Sequence, residues 1–242
     1  FCPRGVWTNA ARLGGYYSLK YYQNCQAFVG NTEGICDYLR KQGVPAEKVH
    51  YIPNFIDERP LPADDATQFP ATQGDAGSIL MAAGRLHRNK GFDVLIEALS
   101  AVPSATLWLA GEGPERTHLA QLAQRLGVRD RVEFLGWQDD LRPYLQRADV
   151  FVCSSRIEPL GNVVLEAWRQ GCPLVAARAA GPRELITDGR TGSLCDLEDA
   201  AGMARAITQL LGSTTQRQHY SAAGQEAYAA GFARAQVVAR YL

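Results

Sequence analysis

Two carboxylates, Glu158 and Glu166, bracket the segment Pro159-Leu160-Gly161-Asn162-Val163-Val164-Leu165. The run Asp149-Val150-Phe151-Val152-Cys153 before them predicts a buried strand, and the apolar residues after them predict a helix ending before Gly171-Cys172-Pro173. Glu158 then belongs on a strand-to-helix turn, with Glu166 about one turn inside the helix. Helical side chains lean toward the N-terminus, which brings both carboxylates to the same end of the element. Gly161 lets a ligand approach the backbone, and the free N–H groups of the first helical turn favour an anion. Two acceptors for sugar hydroxyls beside an anion cradle are the chemistry of a nucleotide-sugar site. Acids also gather near helix N-termini for dipole reasons alone, so other segments must agree.

Two cations do. Gly84-Arg85-Leu86 ends an apolar strand, and Lys90-Gly91 opens the next helix, 68 residues before Glu158. Ligands of open α/β sheets sit beyond the carboxyl ends of the strands, the edge that Arg85 and Lys90 flank. A guanidinium grips two phosphate oxygens and an ammonium acts as a mobile point charge, so the pair suits a diphosphate whose charge grows as it leaves. His87 and Arg88 read as loop residues. Gly111-Glu112-Gly113-Pro114 lacks the third glycine of a dinucleotide fingerprint, because Arg116 stands there, and Pro114 suits a helix-initiating turn. Asp139 and Asp140 are adjacent and do not face each other on a helix, which predicts capping rather than paired-acid hydrolysis. No G-x-S-x-G, H-E-x-x-H or P-loop motif occurs.

The elements that must hold these groups alternate regularly. Strands are expected at 78–83, 105–110, 132–135, 149–153, 174–177 and 193–195. Helices are expected at 91–100, 114–126, 139–147, 162–170, 182–187, 197–211 and 215–230. Apolar strands alternating with amphipathic helices predict an α/β fold with a parallel, doubly wound, Rossmann-like sheet. Upstream, 27–29 and 49–52 read as strands around a helix at 33–42, capped by Asn31-Thr32 and stopped by Gly43. Residues 57–78 are rich in Pro, Asp, Ala, Thr and Gly and read as linker. Tyr16, Tyr17, Lys20, Tyr21 and Tyr22 lie at helical spacing. They suit internal packing, or a surface for an acceptor or a membrane interface.

With Pro-Leu-Gly-Asn after its first acid, the Glu158–Glu166 spacing resembles the donor-site signature of the retaining glycosyltransferases of family 4, the group 1 enzymes of GT-B fold. The likeness is near-complete over 78–211 and fair over 25–57, where Ile52-Pro53-Asn54-Phe55-Ile56-Asp57 resembles the end of the family's N-terminal domain. It implies four parts: 1–57, the end of an acceptor-side domain; 58–77, a linker; 78–231, the nucleotide-sugar donor domain; and 232–242, a closing helix that returns to the first domain. About 60 residues is too few for a whole first domain, so upstream sequence is expected to be missing.

The resemblance also assigns roles. Arg85 and Lys90, after Gly84, meet the donor diphosphate, and with Glu158 they form the catalytic set. Glu158 takes the sugar hydroxyls, and Pro159 and the backbone of Leu160, Gly161, Asn162 and Val163 hold sugar and β-phosphate. Glu166 takes the ribose diol, which needs an acceptor for two hydroxyl donors. Backbone after Leu135 reads the base edge, and Trp137 either stacks on the base or packs between domains. The family often has Gly-Gly-x-x-Glu where this chain has Ala180-Gly181-Pro182, so that segment reads as structural. The implied activity is metal-independent and cofactor-free transfer, with retention, from a UDP- or GDP-sugar to an acceptor hydroxyl. A nucleotide-binding domain or fragment without turnover is the alternative, and a sugar-nucleotide epimerase a minor third. The implied partners are a nucleotide-sugar donor and a saccharide or lipid-linked acceptor in bacterial cell-envelope polysaccharide synthesis. A cytoplasmic site follows, with peripheral membrane contact through the N-terminal domain.

Bulk properties agree. Twenty-five basic residues balance twenty-five acidic ones, which argues against a nucleic-acid partner. Six scattered cysteines without a C-x-x-C pair predict a reducing compartment and no structural zinc. No run approaches 18 apolar residues, so no spanning helix is expected.

Overall fold

A computed structural model describes residues 22, 24–56, 58, 69–70 and 77–242. Tyr16, Tyr17, Lys20 and Tyr21 of the N-terminal aromatic cluster, and most of the 58–77 linker, lie outside them. The chain divides into two units, 1–56 with 231–242, and 57–230.

In the smaller unit, β1 (Phe28–Gly30) and β2 (Val49–Tyr51) pair in parallel, connected through α1 (Glu33–Lys41). Thr32 is the N-cap of α1, its Oγ1 accepting from the Ile35 N–H at 3.1 Å. Cys36, Leu39 and Val49 form its small core.

The larger unit runs β3 (Ser78–Ala83), α2 (Phe92–Ser100), β4 (Ala105–Ala110), α3 (Arg116–Arg125), β5 (Val132–Gly136), α4 (Arg142–Arg147) and β6 (Val150–Cys153). It continues with α5 (Asn162–Arg169), β7 (Leu174–Ala177), α6 (Ala180–Leu185), β8 (Ser193–Cys195), α7 (Ala200–Leu211) and α8 (Thr214–Gly231), before α9 (Arg234–Ala239) of the smaller unit. Its six strands are ordered β5-β4-β3-β6-β7-β8, and every pairing is parallel. This is the doubly wound α/β sheet that the alternating pattern predicts. Strand order reverses between β3 and β6, and a ligand crevice opens outside the carboxyl ends at such a switch point.

Side-chain alternation divides the sheet into two buried faces. Leu80, Ala82, Leu107, Leu109, Val150, Val152 and Val175 join Leu95, Ile96 and Leu99 of α2 and Met203, Ile207 and Leu210 of α7 in one core. Met81, Trp108 and Phe151 point to the opposite face, where Leu145 of α4 and Val164, Leu165 and Trp168 of α5 are buried too. The Val, Leu, Ile, Phe and Met side chains among them each contribute about 1.5–3 kcal/mol when fully buried. Trp108 stacks on Phe69 of the linker, 5.8 Å between centroids, and meets Tyr144 of α4 edge-on at 6.0 Å.

Several element ends depart from expectation for local reasons. The helix expected from 139 starts at Arg142, because Asp140 accepts from the Arg142 backbone N–H at 3.0 Å and pairs with its guanidinium. Asp140 thus ties a turn ahead of the helix, and Asp139 accepts from the Trp137 indole N–H at 2.8 Å. The helix expected from 114 starts at Arg116. Its preceding turn is occupied otherwise: the Leu86 N–H donates to Glu112 O at 2.8 Å, and the Glu115 N–H donates to Leu86 O at 3.0 Å. The helix expected at 182–187 spans Ala180–Leu185, with Pro182 in its first turn, where a missing N–H costs nothing.

Candidate functional site

The loops after β3 and β6 leave neighbouring strands at the switch point and are tied to each other. The β3 loop turns through a short 3₁₀ segment, Arg88–Lys90, whose N-cap is His87: the Asn89 N–H donates to His87 Nδ1 at 3.2 Å. Gly91 then adopts φ 62°, and a Cβ there would lie 2.1 Å from the Ser154 carbonyl oxygen. Only glycine permits both the left-handed turn and that approach. Ser154 completes the junction by donating from Oγ to Lys90 O at 2.9 Å.

Lys90 and Glu158 meet across this junction, Nζ to Oε2 at 2.5 Å. The lysine stem passes over Gly84, where a Cβ would sit 3.1 Å from Lys90 Cε. Glu158 is held further by the Ser155 hydroxyl, which donates to Oε2 at 3.3 Å, and by the Gly161 N–H, which donates to Oε1 at 3.3 Å. Its own carbonyl accepts from the Gly181 N–H at 2.7 Å. A Cβ on Gly181 would come within 2.6 Å of the Leu160 carbonyl carbon, so α6 buttresses the Glu158–Leu160 backbone from behind. Gly181 therefore supports the backbone of the motif. Arg85 is exposed and makes no hydrogen bond or ion pair with the described residues.

From Gly161 the chain enters α5, with the first turn formed by Asn162, Val163 and Val164. Glu166 lies one turn in. Burial pushes its carboxyl up to about 7; the negative charges of Asp140 and Glu158 add to the rise, and Lys90 opposes it. The two acids of the motif thus share one electrostatic environment at the N-terminal end of α5. The Glu166 carboxylate makes no hydrogen bond or ion pair with the described residues, while its backbone carbonyl accepts from the Gln170 N–H at 3.2 Å.

The β5 edge joins through a zipper of loops. The Gly84 N–H donates to Ala110 O at 3.0 Å, and the Gly111 N–H donates to Gly136 O at 2.7 Å. The Leu135 carbonyl already accepts from Gln138 Nε2 at 2.8 Å, and Gln138 Oε1 accepts from the Tyr144 hydroxyl at 3.0 Å. A carbonyl oxygen carries two lone pairs, and Gln138 takes one of them. Trp137 is 68% exposed, with its indole N–H aimed at Asp139.

The structure thus gathers Gly84, Arg85, Lys90, Glu158, Pro159, Leu160 and Gly161 on loops at one sheet edge, with Asn162, Val163 and Glu166 in the start of α5, Leu135 near the end of β5 and Trp137 on the loop after it. Sequence reasoning missed Ser154 and Ser155, although both are buried polar residues between a buried strand and Glu158. That polar run was the available signal. Among the described residues no helix is long and apolar enough to cross a membrane.

A family model described as "Glycosyl transferases group 1" matches residues 77–213. The lipopolysaccharide core biosynthesis glycosyltransferase LpsE of Rhizobium meliloti is 42% identical over 233 residues, covering 96% of this chain and 68% of the relative. LpsD of the same organism is 39% identical over 235 residues, covering 96% and 67%. Among solved structures, Anabaena HepE in complex with UDP and glucose superposes with a TM-score of 0.76 at 26% identity, over 89% of this chain. The chain spans 60% of HepE and about two thirds of the two Rhizobium relatives. Sucrose-phosphate synthase from Thermosynechococcus elongatus has a TM-score of 0.81 at 24% identity, covering 98% and 64%, a likeness of fold.

Proposed function

The chain belongs to the glycosyl transferases group 1 family, and on that premise we propose that its larger unit is the donor half of a retaining, metal-independent glycosyltransferase. The observation that carries this reading is the Lys90–Glu158 pair at the switch point, beside the first turn of α5. The donor is a nucleotide-diphosphate sugar, the class of the UDP-glucose named with HepE, and the acceptor is a saccharide or lipid-linked hydroxyl, in line with the names of the Rhizobium relatives.

Lys90 and the unpaired Arg85 supply the positive charge that the diphosphate needs as it departs, a task that elsewhere falls to a divalent cation. The N-terminus of α5 adds the positive end of a helix dipole. Glu158, held by Ser155 and Gly161, orients the sugar through its hydroxyls. Ionised Glu166 accepts from both ribose hydroxyls, and Trp137 covers the base. The bond between the anomeric carbon and the β-phosphate oxygen breaks, and the acceptor oxygen bonds to that carbon on the same face. The acceptor proton passes to the leaving phosphate oxygen.

The test has two parts. Calorimetry with UDP, GDP and ADP should find one nucleotide bound well above the others. Lys90→Ala and Glu158→Ala should each lower sugar transfer by about two to three orders of magnitude, the scale of losing one group that stabilises developing charge. Normal turnover in both variants refutes the assignment. Binding with no turnover in the parent chain favours a nucleotide-binding module instead.

A further inference from the structure

Between the end of β6 and Glu158, the residue with the most connections is one that carries no role in the reading above. Arg156 is partly buried, and all five of its guanidinium N–H groups are engaged. Nη1 and Nη2 donate to the two carboxylate oxygens of Asp93, at 2.7 and 2.8 Å. Nε and Nη2 donate to the two oxygens of Glu198, at 2.5 and 2.8 Å. Nη1 also donates to the Arg88 carbonyl at 2.8 Å, while the backbone N–H groups of Arg156 and Ile157 both donate to Asn89 O, at 2.8 and 3.1 Å.

Each of these partners bears on the Lys90–Glu158 pair. Arg88 and Asn89 are the two residues before Lys90, and Asp93 lies in the first turn of the helix that follows it. Arg156 itself stands two residues before Glu158. Glu198 brings in the β8–α7 loop and is the non-glycine residue with positive φ, 61°, among the described residues. A side chain held in that backbone region indicates that its surroundings over-determine it. Burial pushes the Asp93 carboxyl up, but the hydrogen bonds and charge of Arg156 outweigh this and leave it below the usual carboxylate range.

We propose that Arg156 is a positioning residue for sugar transfer: it sets the distance between Lys90 and Glu158 by clamping the Arg88–Lys90 turn, Asp93 and Glu198 onto the Glu158 loop, without touching the donor. This rests on the donor-site reading given above. The planar fork is what matters, because two carboxylates and one carbonyl are met in fixed directions. A lysine at this position carries the charge and cannot reproduce the fork. A group that only stabilised the fold would change melting temperature and leave the sugar's contribution to binding alone.

The experiment compares the parent with Arg156→Ala, Arg156→Lys and Glu198→Gln, using whichever of the pairs UDP with UDP-glucose or GDP with GDP-mannose binds. Nucleotide affinity should stay within about threefold, because base, ribose and α5 contacts are intact, and nucleotide should still raise the melting temperature. The extra affinity of the nucleotide-sugar over the nucleotide should disappear in both Arg156 variants, and kcat should fall by about tenfold or more. Glu198→Gln, which keeps the arginine and one carboxylate anchor, should lower kcat by about threefold with little change in melting temperature. It serves as the readout if Arg156→Ala does not fold. Sugar affinity and kcat within twofold of the parent, or full rescue by Arg156→Lys, overturn the proposal. Lys90→Ala and Glu158→Ala run in parallel keep the two readings apart. If they lose transfer and the Arg156 and Glu198 variants do not, positioning alone fails; if no pair binds, or if they too are normal, the donor-site reading fails and this one with it.

Discussion

The two ends of the candidate site are built differently. At the Lys90–Glu158 end, the groups are paired and braced from several directions: by Ser154 and Ser155, by Arg156, and by α6 through Gly181. At the Glu166–Trp137 end, an acid has no partner among the described residues, and an indole lies open to solvent. A group that stabilises charge in a transition state must already stand in place, because reorganising during the reaction forfeits the gain. A group that recognises a bound nucleoside needs the reverse, hydrogen-bonding capacity left for the ligand to satisfy. In the proposed transfer, the contrast separates a part of the site that performs chemistry from a part that selects and holds.

The strongest way to break the braced end is through its backbone. Gly91→Ala places a Cβ 2.1 Å from the Ser154 carbonyl oxygen at φ 62°. This should cost about 2–4 kcal/mol of stability in urea denaturation and displace Lys90 with it. An unchanged midpoint would mean the two loops are not locked together.

Removing one partner of the pair should come next. The Lys90 and Glu158 side chains are 23% and 11% exposed, so Lys90→Ala leaves a mostly buried carboxylate without its cation. The expected loss is about 1–3 kcal/mol. Adding Glu158→Gln should return most of it, since the second change removes the stranded charge. If the double variant is as unstable as the sum of the singles, the pair is not the unit described.

The open end predicts smaller effects that depend on pH. Glu166 has a folded pKa of about 7, above the ordinary value of 4.5. The folded state therefore holds the proton more tightly than the unfolded state. The stabilisation is complete below about pH 4.5 and is lost as pH rises through 7. Glu166→Gln should raise stability by about 1–2 kcal/mol at pH 8 and change it little at pH 5. With Glu166 in the proposed ribose role, binding should run the other way, because only the ionised carboxylate accepts from two hydroxyl donors. Affinity for a nucleotide-sugar, which has no phosphate titrating near neutrality, should increase from pH 5 to pH 8. Glu166→Gln should abolish that slope and cost about tenfold in affinity at pH 8, roughly 1.4 kcal/mol. Asp140, Glu158 and Lys90 also bear on this group, so the slope should survive Trp137→Ala, which leaves all three in place.

What the sequence made legible divides along the same line. The strands of the large unit could be read because buried parallel strands are continuous apolar runs, and Glu158 and Glu166 because their spacing is local. That Lys90 and Glu158 share a sheet edge could be read by placing both at carboxyl ends of strands; their ion pair could not, since the β3–β6 adjacency is not written in chain order. Arg156 gave no signal, because its partners Asp93 and Glu198 lie 63 residues before and 42 residues after it. The start of α4 was misplaced because Asp140 bonds its own neighbour, a side-chain competition that periodicity does not record. The lock of Gln138 on the Leu135 carbonyl escaped for the same reason.

Trp137 offers the smallest and most discriminating test. The residue is 68% exposed, so Trp137→Ala should leave the melting temperature unchanged. If the ring lies over the base, the same change should weaken nucleotide binding by about three- to tenfold, toward the low end of base stacking on aromatic side chains because one face stays in water. Trp137→Phe should keep most of the affinity, because stacking needs a π-face and not the indole N–H. Asp139→Ala should fall between the two, since Asp139 sets the direction of the ring through a 2.8 Å bond without meeting the base itself. A Trp137→Ala variant that binds nucleotide as the parent does would leave Glu166 as the main nucleoside contact. The open end would then be recognition of ribose and not of the base.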